Sequence, residues 1–170
     1  MPLKTAYLAP LDPTLDLTFE RIVDVPVERL WQAWTDPSHL IHWFTPEPWS
    51  TVQAEVDLRP GGRFATLMRS PEGQEYPNAG CYLEVIPNER LVWSNAVQPG
   101  FRPAQATAAG STDFAFTAVI SLEALGPSTT RYTATVLHPD AATCQRHAAM
   151  GFHQGWGAAL DQLVAHMTRG

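Results

Sequence analysis

Cysteine is nearly absent from this chain: Cys81 and Cys144 are the only two in 170 residues, far apart and without a C-x-x-C neighbour. That spacing offers neither a zinc or redox motif nor a disulfide framework, so both thiols are expected to be reduced. Positive charge is also scarce, with 11 Lys and Arg against 17 Asp and Glu, a formal charge of −6 and no basic cluster. Nucleic acid is not expected as a partner, because little is present to neutralise a phosphate backbone. No apolar run reaches the length of a membrane span, and residues 1–14 hold one Lys and no signal-peptide core. Membrane insertion is not expected, and a soluble cytoplasmic protein is. The chain contains no H-x-x-x-H pair, no Gly-x-Ser-x-Gly elbow and no P-loop. No metal and no cofactor is therefore expected.

What the chain does have is an ordered change of hydrophobic period. Leu17, Phe19, Arg21 and Val23 alternate with Thr18, Glu20, Ile22 and Asp24, the pattern of a strand buried on one side. Pro26 then opens a helix carrying Leu30, Trp31 and Trp34, and Asp36-Pro37 starts a second short helix through His42 and Trp43. Residues 49–138 read as strands separated by turns at 59–62, 71–73, 87–89 and 126–128, which implies an antiparallel sheet. Residues 98–113, rich in Ala, Gly, Pro and Thr, read as a longer loop. From 140 to 168, the spacing of Ala149, His153, Trp156, Leu160, Leu163 and Met167 predicts one long amphipathic helix. Gly151, Gly155 and Gly157 fall inside it, each costing about 1 kcal/mol relative to Ala. Close packing, a local kink or room for a ligand beneath the helix would account for them.

The order strand, two helices, six strands and a final helix resembles the helix-grip fold of the START-like, or SRPBCC, superfamily. Arg21 with Pro26, the run 30–37, Trp43 with Pro46, Arg59-Pro60-Gly61-Gly62-Arg63-Phe64, the run 80–85, Arg90-Leu91-Val92-Trp93 and Gly155-Trp156 are similar to the subfamily named after the activator of the heat-shock-protein-90 ATPase. The resemblance implies an α+β fold in which a curved antiparallel sheet wraps a long C-terminal helix around an internal cavity. It implies a single domain over residues 17–168, preceded by an extension over 1–16. The subfamily name implies no activity for a stand-alone domain.

Strand alternation then nominates a cavity wall of Phe64, Met68, Trp93, Asn95, Phe116, Ala118, Tyr132, Val136 and His138, with Trp43, Phe44 and Trp156 capping it. His138 and His153 are expected to meet in the pocket as proton donors or acceptors, although an inward His is more often a hydrogen-bonded core residue. Tyr82 and Glu84 are expected on one strand face, with alternation placing Glu84 outside. His39 and His42 make half a metal site by spacing and read as a surface pair. The turn at 59–62 lies between strands, which fits a tight turn better than a phosphate cradle.

Three function classes follow. One is a binding domain for a hydrophobic or aromatic small molecule. The second is a cyclase-, hydrolase- or isomerase-like enzyme using His138, His153, Tyr82 or Glu84. The third is a chaperone-linked interaction module. Trp49 and the loop at 98–112 also offer surface for a homodimer, which the sequence leaves open.

Overall fold

The computed structural model describes residues 7–105 and 114–169. Strand β1 (Asp16–Val23) leads into helices α1 (Val27–Thr35) and α2 (Pro37–Trp43). Strands β2 (Ser50–Val56), β3 (Arg63–Arg69), β4 (Glu75–Ile86) and β5 (Arg90–Ser94) follow. Two short strands, β6 (Val97–Gln98) and β7 (Arg102–Pro103), precede β8 (Thr117–Gly126) and β9 (Thr129–Leu137). Helices α3 (Ala141–Ala149) and α4 (Phe152–Thr168) close the chain. Seven strands form one antiparallel sheet in the order β1-β9-β8-β5-β4-β3-β2, and β6 pairs with β7 separately. The expected α+β helix-grip architecture is present. Of the loop at 98–113, the first part forms the β6–β7 hairpin, and residues 106–113 lie outside the described residues.

The helical boundaries follow from local chemistry. Pro26, with φ fixed, is the N-cap of α1, and Asp36 both ends α1 and accepts a hydrogen bond from the Ser38 N–H at the start of α2. The helix expected over 140–168 is two helices. Gly151 adopts φ 91°, a left-handed conformation that Cβ-bearing residues disfavour, and the chain turns there between α3 and α4. Of the three glycines, one thus makes the kink. A Cβ on Gly157 would come within 3.0 Å of Arg21 Nη2, so it gives close packing on β1, where Arg21 pairs with Asp161 of α4. A Cβ on Gly155 would meet nothing within 4 Å.

The core lies between the concave sheet face and α1, α2 and α4, and is anchored by Leu30, Leu40, Ile120, Val136, Phe152, Leu160 and Leu163. Each such apolar side chain contributes about 1.5–3 kcal/mol on burial. The sheet bends at irregularities between Thr51 and Gln53 and between Tyr82 and Glu84. Gly80 permits the close approach of β4 to the end of β5, since a Cβ there would lie 2.4 Å from the Ser94 carbonyl oxygen. The turn at 59–62 has the same logic. A Cβ on Gly62 would collide with the Asp57 carbonyl, and Gly61 N–H donates to Tyr82 O while Tyr82 N–H donates to Gly62 O.

Candidate functional site

The sheet, α2 and α4 do not fill the space between them. A cavity of about 420 Å³ remains, walled by Phe64, Thr66 and Met68 from β3, Asn78–Gly80 from β4, Trp93 from β5, Phe116 and Tyr132. Trp34 and Trp43 with Phe44 close one side, and Phe152, Gly155, Trp156 and Ala159 of α4 form the roof. The aromatic rings hold one another mainly edge to face: Phe64 with Trp93 at 5.0 Å, Trp93 with Phe116 at 5.4 Å and Trp34 with Trp43 at 4.9 Å between centroids. A lattice of braced rings keeps the walls apart and leaves the space unfilled. Gly155 contributes by omission, because its missing side chain is where the roof would otherwise descend.

Polar groups at this wall are few, and several are committed elsewhere. Asn95 donates from Nδ2 to Phe114 O and accepts the Phe116 N–H at Oδ1, so its amide ties β5 to the entry of β8. The Trp43 indole N–H donates to Ala33 O. The Trp93 indole N–H has no hydrogen-bond partner among the described residues. Burial pushes the Tyr132 hydroxyl well above the ordinary tyrosine range, against the opposing influence of the Trp34 indole and the Arg21 charge.

The sequence-nominated residues separate into two groups. Trp43, Phe44, Phe64, Met68, Trp93, Asn95, Phe116 and Trp156 line the cavity, with Tyr132. Tyr82 lies behind the wall, stacked on Phe64 at 5.3 Å and fully buried, and desolvation pushes its phenol upward. Ala118 and Val136 are fully buried core residues that do not border the space.

Three expectations need correction. His153 does not enter the pocket. Phe152 takes the inward position in the first turn of α4, and His153 is exposed, with Nε2 3.3 Å from the Thr18 carbonyl. Ala149 is exposed as well, because the break at Gly151 separates the face of α3 from that of α4. Tyr82 and Glu84 are not on one face. The irregularity between them pairs Tyr82 with inward Trp93 but Glu84 with Val92, so Glu84 lies on the outer face, in an ion pair with Arg90 at 2.6 Å.

His138 meets a different histidine. Its Nδ1 lies 2.8 Å from the Leu15 carbonyl and its Nε2 lies 2.9 Å from Nδ1 of His147, the inward residue of α3, which lines the cavity. Burial, and then the charge of His138, push His147 down to about 4. Sequence reading missed His147 because it extrapolated one helix face across Gly151. The signal available was Cys144 with His147, three apart and both buried.

His39 and His42 acquire a third neighbour at the end of α4. His39 Nδ1 is 2.9 Å from His166 Nε2, and His42 stacks on His166 at 4.8 Å. Stacked rings do not aim two nitrogens at one point, and among the described residues no group of His, Cys, Asp and Glu is arranged to hold a metal ion.

A curved antiparallel sheet closed by a C-terminal helix over an apolar space defines a helix-grip domain of the START-like kind. Within that class, the chain belongs to the family described as Activator of Hsp90 ATPase homolog 1-like protein, whose model matches residues 24–168. A crystal structure of a protein from Nitrosomonas europaea is 42% identical over 94% of this chain and 97% of that one, with a TM-score of 0.86. One from Mycobacterium smegmatis is 26% identical over 92% and 93%, with a TM-score of 0.71. A protein of the family from Silicibacter pomeroyi, 23% identical over 89% and 96% with a TM-score of 0.63, shares the fold. No curated protein matches the chain. No described helix is long and apolar enough to cross a membrane.

Proposed function

We propose that this protein binds a hydrophobic, aromatic small molecule in the cavity between the sheet and α4, in the cytoplasm and as a single domain over residues 17–168. The observation that carries the reading is the unfilled, aromatic-walled space of about 420 Å³ beneath Gly155, within the size range of small-molecule sites. Domains of this fold family typically hold a ligand in the corresponding space. Braced rings favour a flat, rigid guest, because edge-to-face contacts are available on several sides at little cost in side-chain entropy.

The acid–base set that an enzyme would need from His138, His153, Tyr82 and Glu84 is dispersed: one is exposed, one lies on the outer face, and two are behind the wall. Binding without chemistry is the reading the geometry supports best. Two measurements test it. Native mass spectrometry of protein purified without lipid-stripping steps should reveal a stoichiometric bound molecule. Titration of N-phenyl-1-naphthylamine should give saturable fluorescence enhancement in the micromolar range. An empty protein that also fails to bind the dye would refute the proposal.

A further inference from the structure

The His138–His147 pair has a direction, and the direction reaches the cavity. The Leu15 carbonyl can only accept, so the His138 nitrogen 2.8 Å from it, Nδ1, is the protonated one. In the neutral ring, Nε2 of His138 is then an acceptor, and His147 must donate to it from Nδ1 across 2.9 Å. His147 is left with a bare Nε2 lone pair. The two ring nitrogens of an imidazole point in nearly opposite directions, and His138 lies behind the wall. Nε2 therefore faces the cavity side, where His147 lines the space, and it has no hydrogen-bond partner among the described residues.

The neighbouring rings keep this nitrogen in place. Phe114, Phe152 and Phe116 surround the His147 ring at 4.8, 5.3 and 5.7 Å between centroids, and Trp156 approaches at 6.4 Å. The titratable and charged groups nearby are His138, Cys144 and Arg146, whose guanidinium lies over Phe114 at 5.4 Å, together with Asp140 at the start of α3. Desolvation keeps His147 neutral at pH 7. A Thr66 hydroxyl on the same wall can rotate to donate or accept, whereas the order of the relay fixes His147.

We propose that His147 Nε2 is a preset hydrogen-bond acceptor in the cavity wall, so that the site selects flat aromatic molecules bearing a hydroxyl or N–H donor over equally sized molecules that can only accept. The inference rests on cavity binding and adds the chemistry of the recognised group. His138 is a positioning residue: it sets the tautomer of His147 without touching the guest.

Three probes of one shape separate the claims at pH 7: 2-naphthol donates, 2-methoxynaphthalene only accepts, and naphthalene does neither. Titrated by tryptophan fluorescence, the wild type should bind 2-naphthol roughly three- to tenfold more tightly than the other two, the usual value of one net hydrogen bond. His147→Phe should bind all three alike, and His138→Phe should lose the same preference by freeing His147 to protonate Nε2. Nitrogen-15 spectra of the wild-type histidines, which need no variant to fold, should show His147 protonated at Nδ1 and bare at Nε2. Equal affinities in the wild type, or a protonated Nε2, would overturn the acceptor assignment and leave the cavity reading standing. No saturable binding of any probe would overturn both.

Discussion

Gly155 offers the sharpest perturbation, because stability and binding should respond to it in opposite senses. It occupies the interior of α4, where its N–H donates to Gly151 O at 2.7 Å and a glycine costs about 1 kcal/mol relative to alanine. A methyl group there meets nothing within 4 Å. Gly155→Ala should therefore stabilise the fold by about 1 kcal/mol, a rise in Tm of about 2–4 °C for a domain of this size. Gly155→Leu sends four carbons into a space of about 420 Å³. Contacts in the void would add about 0.8 kcal/mol per methylene and loss of the helical glycine about 1 kcal/mol more, against about 1–3 kcal/mol for an imperfect fit, so stability should stay at or above wild type. The same side chain occupies the volume a guest needs, and N-phenyl-1-naphthylamine should bind at least about tenfold more weakly, equivalent to roughly 1.4 kcal/mol. Thermal unfolding followed by circular dichroism, with a dye titration on the same samples, reads both quantities. Destabilisation by Gly155→Ala would show that the space is not open. Unchanged dye binding to Gly155→Leu would show that the guest sits elsewhere.

Other outcomes follow from the same geometry. Gly80→Ala drives a Cβ to 2.4 Å from the Ser94 carbonyl and should destabilise by about 2 kcal/mol or more, read as a lower urea midpoint; a wild-type midpoint would contradict the close approach. Glu84→Ala removes one half of the ion pair with Arg90, whose side chains are 13% and 18% exposed, and should lower the urea midpoint in the same assay without altering dye affinity. His147, held near 4 in the folded state against 6.5 when unfolded, takes up its proton more readily in the unfolded chain. Its contribution is complete above pH 6.5 and is lost as the pH falls toward 4, by at most about 3 kcal/mol. Urea midpoints across that window should fall less steeply for His147→Phe, the remaining slope belonging in part to His166, which burial and the neighbouring His42 and His39 also push down.

Most of the scaffold was legible because its signals are local. Alternation at Leu17, Phe19, Arg21 and Val23 and the caps at Pro26 and Asp36 act within a few residues, and they placed β1, α1 and α2 correctly. The aromatic lining was legible for a related reason: Phe64, Trp93 and Phe116 keep strand period on one face. The failures share one cause, a single residue that resets a period. Gly151 restarts the helix, which removed His153 and Ala149 from the inner face and hid His147. The irregularity beside Leu83 does the same to β4 and turns Glu84 away from Tyr82. A β-bulge has no obligatory residue, and a kink glycine resembles a packing glycine until its φ is known. The approach of His166 to His39 joins elements 127 residues apart, a pairing no spacing rule reaches.

The central claim, that an aromatic guest enters the space between sheet and helix, is tested most directly by the tryptophan indole resonances. The chain has six tryptophans; Trp34, Trp43, Trp93 and Trp156 line the cavity, and Trp31 and Trp49 do not. Titrating N-phenyl-1-naphthylamine into uniformly nitrogen-15-labelled protein should move the indole signals of Trp34, Trp93 and Trp156 together to saturation and leave those of Trp31 and Trp49 in place. Saturable binding that shifts Trp31 or Trp49 while the cavity tryptophans stay still would contradict the account.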